Sequence, residues 1–441
     1  MRDQVYKNYM LLILLVIMAF NFVDRFALGL MLQNIKSDLR LSDTQLGLMT
    51  GIAFAVFYSI MGIPIARWAD SGNRVTIITL TAAIWSVMVA LCGQATSFLQ
   101  LLLIRIGVGV GEAGCIPPAH SLIADYFTRG ERPRASAIYQ LGVPLSLVIG
   151  YFFAGWLNEI YGWRITFALL GLPGLVLSAL TWFTLKEPRQ TQSSQGLQSR
   201  NHGTVVSPQG IASSPATAPR FVEVCKVLWT NITFRHLLIG FSVMYFFGYG
   251  IMQWQPTFFI RSYGLSTGTL GTWFALIFGV GGFAGTYYGG YVATRYALRN
   301  ERLQLMGIAV TYIVLGVVSV CVYLSPNKYL AFALLGIFSV GQYAIAGPLL
   351  AIIQTLIPER MRATAIAFIY LFANLIGMGL GPLAAGVMSD AWRHVAGEES
   401  LRLSLLALSP GYFWVAWHIR RASMTVTRDI ESVHSGQHQY S

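Results

Sequence analysis

Four ionisable side chains stand inside otherwise apolar stretches of this 441-residue chain: Asp24 and Arg25 in NFVDRFALGL, and Arg105 and Glu112 in RIGVGVGEAG. Two acids and two bases in hydrocarbon can neutralise one another as a packing device. They can also load and release protons and clamp an anion. An ionisable residue costs roughly 2.5 to 3.5 kcal/mol at the centre of a membrane span, so such residues usually face a wet interior and mark a pathway. Buried ion pairs stabilise weakly, and their retention points to a switch. The second stretch also spells Gly109-x-Gly111-x-x-Gly114, the pattern of a dinucleotide loop, which has meaning only between a strand and a helix. Here FLQLLLI runs into it as one apolar helix. Gly107, Gly109, Gly111 and Gly114 are therefore expected to thin that helix for close approach by a neighbour or substrate.

The elements that carry these residues follow from composition. The chain is 55% hydrophobic and 11% charged, against about 25% charged in a soluble domain. Apolar runs long enough to cross a hydrocarbon core of roughly 30 Å recur throughout. Twelve spans are expected, at 9–32, 44–66, 75–93, 98–126, 135–157 and 163–185, then 235–260, 267–294, 302–324, 329–356, 362–389 and 401–419. The first is too long for a signal-peptide core and lacks a cleavage site, so it is read as a retained helix. With alternating loops and the N-terminus inside, only Lys36, Arg40, Arg164, Arg261, Lys328, Arg393 and Arg402 fall outside. That is the positive-inside pattern, so the net charge of +12 reports topology and contact with anionic membrane lipid, not nucleic acid. The expected location is a bacterial-type inner membrane with both termini cytoplasmic. Four cysteines on separate segments and seven scattered histidines give no ligand set, so no metal and no cofactor is expected.

The spans divide into two halves. A polar Ser, Gln, Gly and Pro stretch at 186–220 is read as a linker between bundles at 1–185 and 233–421. FVEVCKVLWTNIT suggests an interfacial amphipathic helix at 221–232, and 422–441 reads as a cytoplasmic tail. RASAIY at Arg134 and RATAIAF at Arg362 stand 228 residues apart, and the loop around Asp70 aligns with that around Thr294. This is an internal duplication of six helices, each copy keeping one orientation, so the halves are related by an axis along the membrane normal. The expected fold is all-α, two six-helix bundles rocking about a midplane cavity.

Depth along the helices places the charges. At 1.5 Å per residue, Asp24 lies about 22 Å up the first helix and Arg105 about 10 Å down the fourth, which brings them level. Glu112 follows Arg105 by seven residues, on nearly the same face and two turns deeper. If Arg105 pairs with Asp24, Glu112 is left buried without a counter-charge, the setting of a proton carrier. Asp24 is the second candidate for proton coupling.

NFVDRFALGL, RIGVGVGEAG with SLIADYF beyond it, and WADSGNR between the second and third helices resemble the Spinster family of the major facilitator superfamily. The likeness covers residues 21–189 and, more loosely, the second half. It implies a transporter of sphingosine-1-phosphate or lysophospholipid type, with Asp24, Arg25, Arg105 and Glu112 matching the family's charged helix 1 and helix 4 positions. The superfamily's loop after helix 2 reads close to G-x-x-x-D-R-x-G-R. Here Asp70, Asn73 and Arg74 fit, but Ser71 replaces the Arg, so Asp70 and Arg74 are read as a weakened cytoplasmic gate.

The second half contrasts with the first. FSVMYFFGYGIMQWQPTFF carries Tyr245, Tyr249, Gln253 and Trp254 but no charge, and the tenth helix has Gln342, Tyr343 and Gln354. An aromatic stripe is more often core than ligand site. A charged wall facing an aromatic one nonetheless suits an amphiphile, with an anionic head on Arg25 or Arg105, an acyl tail against helices 7, 8 and 11, and Tyr245, Tyr249 and Trp254 among the substrate-binding residues. A small organic anion symported with protons fits the same arginine clamp. A monomer is expected. No nucleophile and base pair suggests an enzyme.

Overall fold

The computed structural model describes residues 2–128, 130–188, 229–296, 300–357 and 362–437, and all regular structure among them is helical. Ten helical stretches are long and apolar enough to cross a membrane. Two of them, Arg134–Thr184 with 51 residues and Phe368–Ser432 with 65, exceed twice the roughly 20 residues one crossing needs. The chain reverses inside each at a glycine in the left-handed region that side chains avoid: Gly162 at φ 77° and Gly397 at φ 56°. Twelve crossings result among the described residues.

In the first bundle α1 is Arg2–Leu39, α2 Asp43–Ser71, α3 Arg74–Cys92 and α4 Phe98–Tyr126. The arms of Arg134–Thr184 before and after Gly162 are α5 and α6. In the second, α7 is Ile232–Tyr263, α8 Thr267–Tyr296, α9 Glu301–Leu324 and α10 Lys328–Thr355. Arg362–Phe372, Ala373–Leu380 and Gly381–Ala396 make α11, and Ser400–Leu408 with Gly411–Gln437 makes α12. Residues 189–228, holding most of the expected linker and interfacial helix, lie outside the described residues. The stretch expected as a tail differs from expectation. Ala422 and Val426 are fully buried and the Thr233 N–H donates to Asp429 Oδ2 at 2.9 Å, so α12 continues as a helix against α7 to Gln437.

The duplication is visible in the packing. Gly142 and Gly150 of α5 let it lie on α1, as Gly377 and Gly381 of α11 let it lie on α7. Gly174 of α6 meets Trp85 of α3, as Phe413 of α12 meets Gly316 of α9. The glycines of RIGVGVGEAG serve the same end: a Cβ on Gly111 would stand 2.6 Å from the Trp85 backbone nitrogen, so α4 packs on α3 only because it is missing. Outward-facing side chains such as Phe183, 81% exposed, are apolar, as a lipid-facing surface requires.

The two bundles touch where backbone meets backbone. A Cβ on Gly51 of α2 would come within 2.3 Å of Gly379 O in α11, and one on Gly155 of α5 within 2.5 Å of Thr267 O in α8. Ala373–Leu380 is wound as a wider π-helical stretch, a feature often found at functional sites. It brings Gly379 to Gly51 and Met378 to Arg25.

Candidate functional site

The four intramembrane charges form two buried ion pairs. Arg105 Nη1 donates to Asp24 Oδ2 at 2.5 Å, which realises the level placement expected from helix rise. Arg25 donates to Glu112 Oε2 through Nε at 2.8 Å and Nη2 at 2.5 Å. Glu112 therefore has a counter-charge, contrary to the expectation that Arg105–Asp24 pairing would leave it alone. The reason is the direction in which helical side chains lean. Asn21 Nδ2 donates to Glu112 O at 3.5 Å, so the Arg25 backbone stands about one turn, roughly 6 Å, further along the bundle axis. In antiparallel α1 and α4 each side chain tilts toward its own helix N-terminus, hence toward the other. A long arginine and a glutamate close the gap.

Aromatic rings hold the arginine. The Arg25 guanidinium lies 4.4 Å from the Phe22 ring centroid, 4.6 Å from Phe54 and 5.0 Å from Tyr58, within cation–π range. The Arg25 side chain retains 13% exposure, against 0 to 3% for the other three charges. It is the least buried member of the cluster, and it stands beside the main cavity without lining it.

That cavity, about 460 Å³ in volume, is bounded by Tyr245, Tyr249 and Gln255 of α7, Gln342 and Tyr343 of α10, and Val143 and Leu147 of α5. Among the described residues that line it none is charged. Phe22, Phe26, Tyr249 and Met252 line both this cavity and a smaller one at Arg25, so the neutral chamber and the charged cluster share a wall. The Tyr245 and Tyr249 rings lie 5.3 Å apart at a tilt of 46°, and Tyr245 meets Tyr370 edge-on at 6.4 Å. Trp254 is elsewhere. It is fully buried, its indole N–H donates to Pro382 O at 2.9 Å, and it does not line the chamber. Its role visible here is to join α7 to α11.

Asp70 and Arg74 are also separated in role. Asp70 lies on the exposed last turn of α2. Arg74 opens α3, is fully buried, and ion-pairs with Asp125 at 2.7 Å and with Glu187, while donating to Ser121 O. Those partners belong to the first bundle, so Arg74 ties α3, α4 and the end of α6 together. The polar seam between bundles lies at the other end of the molecule, away from the chain termini. There Asp43 accepts from Arg261 at 2.7 and 2.8 Å, from Lys36 at 2.5 Å and from Ser389 at 2.6 Å. Asp390 of α11 accepts the N–H groups of Asp43 and Thr44 at the start of α2. Asn158 donates to Thr267 at 3.1 Å beside them. Sequence reading noted Lys36 and Arg261 only as outer charges and passed over Asp43, because its principal partner is 218 positions away.

Two six-helix bundles sealed at one end around a chamber, with paired charges in one wall, define an alternating-access membrane transporter. The model of the Major Facilitator Superfamily matches residues 14–382, and the chain belongs to that superfamily, among its Spinster-like members. A solved bacterial homolog of the human lysosomal transporter Spinster, in an inward-facing and unoccupied conformation, is 31% identical. The match covers 96% of this chain and 98% of that one, with a TM-score of 0.82. An MFS-type efflux pump of Mycolicibacterium smegmatis is 30% identical over 88% of this chain and 86% of its own. A probable galactarate/D-glucarate transporter of Escherichia coli (strain K12) is 25% identical over 95% and 97%. The protein is an integral multi-pass transporter and not an enzyme.

Proposed function

We propose that this transporter moves an amphiphile, lysolipid or sphingolipid-like, with protons as the coupling ion, and that it works as a monomer in a bacterial plasma membrane with both termini cytoplasmic. The observation that carries the reading is the shared wall: a neutral aromatic chamber of about 460 Å³ that shares Phe22, Phe26, Tyr249 and Met252 with the small cavity at Arg25. That volume lies in the roughly 300–1,000 Å³ range of small-molecule sites. An anionic head pairs with Arg25 while the tail lies along Tyr245, Tyr249 and the apolar faces of α5 and α10. Glu112 and Asp24 carry the protons. Protonating Glu112 releases Arg25 to the substrate, so loading the proton and loading the head group favour each other. Asp70 and Arg74 remain candidates for the gate at the terminal face.

A second reading, proton symport of a small organic anion, is favoured by the Escherichia coli relative named for galactarate and glucarate. Uptake of radiolabelled lysophosphatidylglycerol into proteoliposomes under an imposed pH gradient decides between them. The amphiphile reading expects saturable uptake that a hundredfold excess of galactarate does not inhibit. Galactarate uptake without lysolipid uptake reverses the assignment.

A further inference from the structure

The smaller cavity beside Arg25 has a chemistry of its own. Its volume is about 30 Å³, room for one atom the size of a water oxygen or a chloride. Of the polar side chains that line it, Arg25 and Arg105 can only donate, whereas Thr50, Tyr249 and Gln253 can donate or accept. Arg105, 1% exposed, has its Nε buried with no hydrogen-bond partner among the described residues, and so has Nε2 of Gln253. Arg25 Nη1 meets only a thioether in the described contacts, Met378 Sδ at 3.7 Å, which is a weak acceptor. The Thr50 hydroxyl in the wall already donates to Leu46 O. Neither Asp24 nor Glu112 lines the cavity; both stand behind the arginines they pair with. Unmade buried donors are costly. Two guanidiniums in the wall favour an anion over a cation there.

We infer that this cavity is an anion hole seating one halide, or one oxygen of an anionic head group, between Arg25, Arg105 and Gln253, with occupancy linked to the proton on Glu112. With both ion pairs formed the four charges cancel. A proton on Glu112 frees Nε and Nη2 of Arg25 and leaves the cluster one positive charge in excess, which a bound anion cancels in a site of low dielectric. The groups facing Glu112 are Arg25 and Asp24 from α1, Tyr58 from α2, and Arg105 and Cys115 on its own helix. Anion binding thus takes up a proton, and affinity rises as pH falls. Gln253 and Tyr249 of α7 line the cavity from the second bundle, so a seated anion also ties α7 to α1. The head-group source rests on the amphiphile reading above, whereas the halide source does not.

Thermal unfolding of the purified full chain in neutral detergent tests this, comparing bromide with the bulky anion gluconate at equal ionic strength, at pH 5.5 and pH 8. Bromide is expected to raise Tm by several degrees at the lower pH and less at the higher. Gln253→Leu should weaken bromide binding about tenfold, the loss of one hydrogen bond to a charged group, while leaving Tm in gluconate unchanged. Should Gln253→Leu fail to fold, Gln253→Glu places a competing acceptor in the hole and should abolish the bromide effect. Glu112→Gln should remove the pH dependence. Displacement of bromide by hexyl phosphate below its micelle concentration assigns the seat to a head-group oxygen; binding without displacement assigns it to a free anion. Equal Tm in bromide and gluconate at both pH values, or a bromide effect untouched in the Gln253 variants, overturns the inference. Lysolipid uptake with no bromide effect discards the hole and keeps the proposed cargo; bromide binding with no lysolipid uptake does the reverse.

Discussion

The two bundles share one packing scheme and differ in what they place at the midplane. α1 and α4 contribute two buried ion pairs, Asp24–Arg105 and Arg25–Glu112. Their counterparts by duplication, α7 and α10, contribute Tyr245, Tyr249, Gln342 and Tyr343. Charge that titrates or pairs differently in two states can bias a rocking equilibrium, and a neutral aromatic wall cannot. The difference teaches where the proposed function divides its labour: ions and head group are assigned to the first bundle, and the rest of the cargo to the neutral surface of the second.

Breaking the charge side of this comparison should have the largest effect. Arg105→Leu strands Asp24 in the bundle and should cost about 3 to 5 kcal/mol of stability. The double variant Asp24→Leu with Arg105→Leu should recover most of it, read by thermal unfolding in detergent. A double variant as unstable as the single one would mean that the pair is not self-contained. Arg25→Ala should lower lysolipid uptake tenfold or more, because it removes the cation proposed to take the head group, while Tyr249→Phe should lower it less than threefold. Equal losses would dissolve the division between the walls.

The seam away from the termini sharpens the same picture from a distance. Gly51→Leu would drive a side chain into Gly379 O, 2.3 Å from the Cβ position. The variant should hold that end open, read as faster labelling of a cysteine placed near Asp43, with uptake reduced about tenfold. The smallest effect belongs to Trp254→Phe, which loses one neutral hydrogen bond to Pro382 O. It should cost about 1 kcal/mol of stability and leave uptake within twofold. A large uptake defect would return Trp254 to the substrate wall.

How much of this was legible in the sequence depends on the range of each contact. The spans, the duplication and the Asp24–Arg105 level follow from apolar runs and a fixed rise per residue, which are local quantities. The Arg25–Glu112 bond depends on two long side chains leaning toward each other, which residue rise alone does not encode. Trp254 lies on the same helix as Tyr249, five residues on, and periodicity could not say that one faces the chamber and the other α11. The seam at Asp43 was the least legible. It is assembled from α1, α2, α7 and α11, and nothing near Asp43 in the chain hints at Arg261 or Asp390. The extension of α12 past 421 rests on Ala422 and Val426, which keep one face apolar and buried in an otherwise polar segment.

Proton coupling through Glu112 is the claim on which the account turns. Uptake of lysophosphatidylglycerol into proteoliposomes, with and without an imposed pH gradient, tests it in wild type and in Glu112→Gln. The account predicts that the gradient accelerates wild-type uptake at least tenfold and leaves Glu112→Gln at its gradient-free rate, with binding retained. Gradient-driven uptake by Glu112→Gln at the wild-type rate would contradict it.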